Sequence, residues 1–169
     1  MLEEEKEVRV FTKQECVFLG LTEALEGMIE EGRQGETCFS GCAIPGCSIT
    51  EYLRRLKQYF GCSDSCFILM LVHLRRLLEK NPSIRMHQYS AHRLVAVSLT
   101  VAVLFNDDSF HTTKYYSRIC GVTPESMASM QRTYLTSLGY NLLVSPEEFK
   151  TVEASLAEAG EELAAWQLV

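Results

Sequence analysis

His92-Arg93-Leu94-Val95-Ala96-Val97-Ser98-Leu99-Thr100-Val101-Ala102-Val103-Leu104-Phe105-Asn106-Asp107-Asp108 decides how this chain is read. The run is apolar almost all round, interrupted only by the hydroxyls of Ser98 and Thr100. A helix without a polar face has to be surrounded, by protein or by lipid. The uncharged part, Leu94 to Phe105, is 12 residues long, short of the roughly 18 to 20 that a bilayer span needs. β-branched Val and Thr also suit a buried strand, but a strand of about 16 residues without Gly or Pro is long. The stretch therefore reads as the central, buried helix of a helical domain, and no membrane partner is expected.

Working outward, every periodic segment is helical. Thr12 with Glu15 has capping-box spacing, and Val17, Phe18, Leu21, Leu25, Met28 and Ile29 follow at helical intervals, with Gly32 and Gly35 as stops. Residues 32–47 form a loop rich in Gly and Cys. Ser48-Ile49-Thr50-Glu51 is a second capping box, opening a helix with Ile49, Tyr52, Leu53, Leu56 and Phe60 inward and Arg54, Arg55 and Lys57 opposite. Ser63 or Asp64 is the expected cap of the next helix, which stops before Asn81-Pro82. After the central helix, Thr113–Cys120 is a short helix closed by Gly121, and Thr123-Pro124-Glu125 is a strong helix start that runs to Gly139. Ser145-Pro146-Glu147-Glu148 repeats that signal. It opens an acidic helix whose apolar stripe is expected at Phe149, Val152, Leu156, Ala159, Leu163 and Trp166.

The 169 residues suit one domain with a substantial core. With 47% hydrophobic and 22% charged residues, the composition is that of an ordinary soluble globular protein. Residues 1–11 read as a frayed acidic lead, and Met1-Leu2-Glu3-Glu4-Glu5 is acidic where a secretion signal is basic and then apolar. Seven cysteines, an odd number, read as reduced thiols in cytosol or nucleus. The net charge of −6 is uneven: residues 1–36 carry 4 basic and 10 acidic side chains, residues 37–144 carry 11 and 6, and residues 145–169 carry 1 and 6. The basic middle has no dense Lys/Arg stripe interleaved with aromatics, so no nucleic-acid partner is expected.

Nothing points to catalysis. Phosphate-binding and nucleophile-elbow motifs are absent. Cys38, Cys42 and Cys47, with Cys62 and Cys66, have irregular spacing for a zinc knuckle and read as free thiols. His73, His87, His92 and His111 form no metal pattern, and His92 reads as a hydrogen-bonded structural residue. Neither a metal nor any other cofactor is expected.

Five pieces carry a family resemblance: Ser48-Ile49-Thr50-Glu51-Tyr52-Leu53, Cys62-Ser63-Asp64-Ser65-Cys66-Phe67, His92-Arg93-Leu94, Leu104-Phe105-Asn106-Asp107-Asp108, and Tyr115-Tyr116-Ser117-Arg118-Ile119-Cys120-Gly121-Val122. In this order and spacing, over about residues 45–150, the chain resembles the phosphate-pathway (P/U) type of cyclin. The resemblance implies an all-α fold: a single five-helix cyclin box at 45–144, preceded by an acidic extension with one helix at 1–44 and followed by an amphipathic helix at 145–169. It also implies the partner, a cyclin-dependent protein kinase, bound through the third and fifth box helices. Phe105, Leu135, Tyr140 and Leu142 fall at the family's apolar kinase-contacting positions. Leu104 and Gln131 fall where cyclins usually place a Lys and a Glu, so both charged groups are missing here. Arg76 sits at the place of the family's arginine on the second box helix, implying a bridge to a later helix. The departure at Leu104 and Gln131 leaves three readings: a kinase matched to an apolar contact, a weak contact that needs a further anchor, or a non-activating scaffold for another protein.

Overall fold

A computed structural model describes residues 10–32 and 35–167. Its described residues form seven helices: α1 (Lys13–Gly27), α2 (Ile49–Tyr59), α3 (Ser65–Lys80), α4 (Ala91–Asn106), α5 (Thr113–Cys120), α6 (Pro124–Leu138) and α7 (Pro146–Gln167). The only β feature among them is an isolated bridge between Glu30 and His87. The fold is all-α. The acidic lead proposed for residues 1–11 lies, up to residue 9, outside the described residues.

The helix starts follow from capping chemistry. Thr12 and Ser48 each accept a hydrogen bond from the backbone N–H three residues on, and the carboxylates of Glu15 and Glu51 reach back to the cap. Thr123 caps α6 with Pro124 in the first turn, and the Ser145 hydroxyl accepts from Glu148 N–H at 3.1 Å. At the other ends, α5 and α6 close through Gly121 and Gly139 in the left-handed region.

α4 is buried from Ala91 through Val103, apart from the half-buried His92 and Arg93. Its interrupting hydroxyls are satisfied. Ser98 O–H donates to Met70 O on α3 at 2.9 Å and is bonded to Tyr134 O–H of α6 at 2.5 Å. Thr100 O–H donates to Ala96 O one turn back. α3 lies antiparallel to α4, since Met70 meets Ser98 while Ser65 meets Asn106. At the start of α4, His92 Nε2 is 2.8 Å from Cys47 O, the structural role its sequence position suggested.

Three local expectations are corrected. First, α1 ends at Gly27, not at Gly32: the chain turns there so that Glu30 N–H reaches Met86 O at 2.8 Å. Second, neither Ser63 nor Asp64 caps α3 with its side chain. Instead the carboxylate of Asp107, just beyond α4, ties down the residue ahead of the helix, accepting from Ser63 N–H at 2.9 Å and from the Ser63 hydroxyl. Third, the apolar stripe of α7 turns. Leu156, Ala157, Gly160 and Ala164 are the buried residues, Ala159 and Leu163 are half-buried, and Trp166 is 80% exposed.

The third correction has a plain cause in how α1 and α7 meet. A Cβ placed on Gly20 would lie 2.0 Å from Leu156 O, and one on Gly160 would lie 1.8 Å from Cys16 O. Side by side in the same direction, as the Lys13–Glu153 ion pair at 3.1 Å also requires, the two helices touch backbone to backbone. Only glycine permits such an approach. The helix face that fits is therefore the one with the smallest residues, not the one with the largest.

Candidate functional site

The α6–α7 connection, residues 139–145, is a strap strung along one face of α3. Its backbone begins with two residues in the left-handed region, Gly139 (φ 62°) and Tyr140 (φ 56°). Tyr140 N–H then closes on Leu135 O at 2.9 Å, and Leu142 N–H on Tyr140 O at 3.0 Å. Left-handed geometry is unfavourable for a residue with a side chain, so other contacts must hold Tyr140 in place.

α3 supplies them. His73 Nε2 is 2.7 Å from Leu142 O. Arg76 donates to Asn141 O at 3.2 Å and Leu143 O at 2.9 Å, and pairs with Glu148 of α7 at 2.6 Å. Lys80 donates to Leu138 O at 3.3 Å, and Asn81 to Ser137 O at 3.1 Å. His73, Arg76 and Lys80, spaced three or four residues apart along α3, and Asn81 just past its end hold the carbonyls on either side of Tyr140. Arg76 thus bridges to later elements as its sequence position implied.

His73 also ties the strap to α4, because its ring meets Phe105 edge-on with centroids 6.5 Å apart. Burial and the nearby Arg76 guanidinium push the His73 pKa down, against the Leu142 carbonyl and the Glu148 carboxylate. The neutral ring donates from Nε2, and Nδ1 is buried without a partner.

Four of the six sequence-predicted residues, Phe105, Leu135, Tyr140 and Leu142, are tied to this clamp, while Leu104 lies next to Phe105 in sequence and no contact ties it or Gln131 to the clamp. Leu135, Tyr140 and Leu142 are joined by the strap's backbone bonds, and Phe105 touches the same His73 that holds Leu142. Leu104, Leu135 and Leu142 are half-buried against the core. Phe105 is 50% exposed, Tyr140 66% and the neighbouring Leu143 77%, so large apolar side chains stand outward from a fixed backbone. Gln131, one turn before Leu135, is half-buried, and its Nε2 is buried with no hydrogen-bond partner. No hydrogen bond joins it to Leu104. The sequence reading missed His73, whose three-residue spacing from Arg76 is the one signal that placed both on the strap side of α3.

Elsewhere among the described residues, no group of three or more His, Cys, Asp or Glu comes together that could hold a metal ion. No helix among them is long and apolar enough to cross a membrane. All seven cysteines are free thiols.

A cyclin family model matches residues 21–142, from the middle of α1 to the strap. The chain belongs to the cyclin family. It is similar to Cyclin-U4-1 of Arabidopsis thaliana, 34% identical over 116 residues, which is 69% of this chain and 57% of that protein. It is similar to Cyclin-P3-1 of Oryza sativa subsp. japonica, 35% identical over 117 residues, 69% of this chain and 49% of the relative. Similarity to both U- and P-type proteins identifies this cyclin as one of the P/U type. The chain spans about half the length of the curated relatives it matches. Membership supports a regulatory rather than a catalytic role. In box terms, α2 to α6 are the five helices of the cyclin box, and the family match extends beyond them into the second half of α1.

Proposed function

We propose that this cyclin is a regulatory subunit that binds a cyclin-dependent protein kinase, with the end of α4 and the clamped strap as the contact. Phe105 and Tyr140 are the outward anchors, and Leu104, Leu135 and Leu142 form the floor beneath them. The observation that carries the reading is the clamp. Exposed apolar side chains on a backbone held by His73, Arg76, Lys80 and Asn81 are pre-organised, so little conformational entropy is lost on docking. A surface of this kind activates by binding the active kinase conformation better than the inactive one, pressing on the mobile helix that carries the kinase's Lys–Glu ion pair. The free thiols suit cytosol or nucleus, where they stay reduced.

A second reading, a non-activating scaffold, draws on Leu104 and Gln131, which lack the usual charged pair.

The test is affinity capture on the full chain from the source cells, with mass spectrometry and a histone-type kinase assay on the eluate. The activator reading expects a cyclin-dependent kinase with activity, lost with Phe105→Ala or Tyr140→Ala, each costing about 2 kcal/mol or more of binding as central anchors do. A kinase recovered without activity points to an anchored or inhibitory cyclin, and recovery of no kinase, with another protein enriched, overturns the kinase reading and leaves the scaffold. Leu104→Lys with Gln131→Glu strengthens activation if the contact is a weakened form of the usual one.

A further inference from the structure

Four helices leave an apolar cavity of about 220 Å³ where the beginnings of α1, α3 and α7 meet the end of α2. Its walls are Val17, Phe18 and Leu21 of α1, Phe67 and Ile68 of α3, and Phe149 of α7. Phe18 and Phe67 meet edge-on, with ring centroids 6.1 Å apart. Walls made of ring edges and faces favour an aromatic occupant. The space is about seven times the ~30 Å³ that one water molecule occupies in the liquid. It suits one side chain of the size of Phe, and falls below the roughly 300 Å³ at which pockets for drug-sized ligands begin.

Charged side chains also line the cavity: Lys13, Lys57, Asp64 and Glu153. Lys13 and Glu153 satisfy each other at 3.1 Å. Lys57 and Asp64 are left, and among the described residues neither forms an ion pair. The Asp64 carboxylate does not cap α3 either. Lys57 is nonetheless held in place, its Nζ 4.5 Å from the centre of the Phe18 ring. Both residues are exposed, so their charges stand at the mouth and not in the apolar interior. Unpaired surface charges occur elsewhere too. These two differ in being of opposite sign and in lining one apolar cavity. An anion at the mouth meets Lys57 but also the Asp64 carboxylate, and a cation meets Asp64 but also the Lys57 ammonium. A ligand carrying both charges satisfies both. An α-amino acid is such a ligand: its ammonium and carboxylate sit on the atom from which its side chain projects, so a side chain in the cavity leaves both charges at the mouth.

We propose that this cavity binds a free α-amino acid with an aromatic side chain, which enters between Phe18, Phe67 and Phe149 while Lys57 meets its carboxylate and Asp64 its ammonium. The ligand then touches α1, α2, α3 and α7 at once, and binding to the folded protein alone stabilises that packing. No residue of the cavity belongs to the strap or to the six predicted contact residues, so the proposal does not rest on the kinase reading.

The test is calorimetric titration of the full chain with L-phenylalanine, which is expected to bind and to raise the melting temperature. Phenylpropanoate lacks the ammonium and phenethylamine lacks the carboxylate, and both are expected to bind more weakly. L-serine, without an apolar side chain, is expected not to bind. Lys57→Gln and Asp64→Asn should each lower the affinity for L-phenylalanine about three- to fivefold, the upper range for an exposed charge pair. The two variants should also sort the analogues: Lys57→Gln should not weaken phenethylamine, and Asp64→Asn should not weaken phenylpropanoate. An unchanged melt of the ligand-free variants shows that they fold. No binding of L-phenylalanine, or indifference to both variants, overturns the proposal. So does N-acetyl-L-phenylalanine amide binding as tightly as the free amino acid, which assigns the cavity to a side chain of a protein partner.

Discussion

The α3–α4 core and the α1–α7 pair are both tightly packed, by opposite means. α4 is enclosed by large apolar side chains from α3 and α6, and its position follows from hydrophobic burial. α1 and α7 touch through backbone at Gly20 and Gly160, where adding even a methyl group collides with a carbonyl. One contact is made by volume and the other by its absence. A scan for apolar residues therefore finds the first and misreads the second.

The largest effect separating the two regions is expected in the core. Leu99→Ala in α4 should cost about 2 to 5 kcal/mol, read as a lower denaturant midpoint. Gly160→Ala should come next. A glycine-to-alanine change in an exposed helix interior gains up to about 1 kcal/mol, but here overpacking should cost about 1 to 3 kcal/mol. Gly27, where an added Cβ meets nothing within 4 Å, is the control that should show no such loss. A stabilised Gly160→Ala protein would mean that the helices do not approach as closely as described.

Smaller still is the pH response of the strap clamp. His73 is held neutral in the folded protein, with its pKa below the usual value, so the unfolded chain takes up more protons as pH falls through about 6.5. Its contribution is therefore present above that pH and lost below it. His73→Gln keeps a donor for Leu142 O but cannot titrate. The wild-type protein should lose more stability between about pH 7 and pH 5 than the variant does, and parallel curves would show that His73 is not the group responsible. The smallest expected effect is at the edge of the α1–α7 pair. Lys13→Ala removes an exposed ion pair to Glu153 and should change the midpoint by less than about 1 kcal/mol.

The same contrast explains what could be read from the sequence. Thr12, Ser48, Thr123-Pro124 and Ser145-Pro146 place their helix starts because the capping signal is local, within three residues. The Asp107 tie ahead of α3 escaped because Asp107 is distant in sequence from the Ser63 it bonds. The end of α1 escaped because Glu30 turns toward Met86 of a later loop. At the candidate site, the positions of Leu104, Phe105, Gln131, Leu135, Tyr140 and Leu142 came with the family resemblance, whereas the His73 clamp depends on contacts across some 70 residues that no local pattern encodes.

That clamp grips main-chain oxygens. The bonds that His73, Arg76, Lys80 and Asn81 make to residues 137–143 all end on carbonyls, and none is made to the side chain of Tyr140, Leu142 or Leu143. The path of the strap is thus largely independent of what it displays. Side chains at these positions can be exchanged to suit a different partner while the loop keeps its shape, a socket with replaceable fittings.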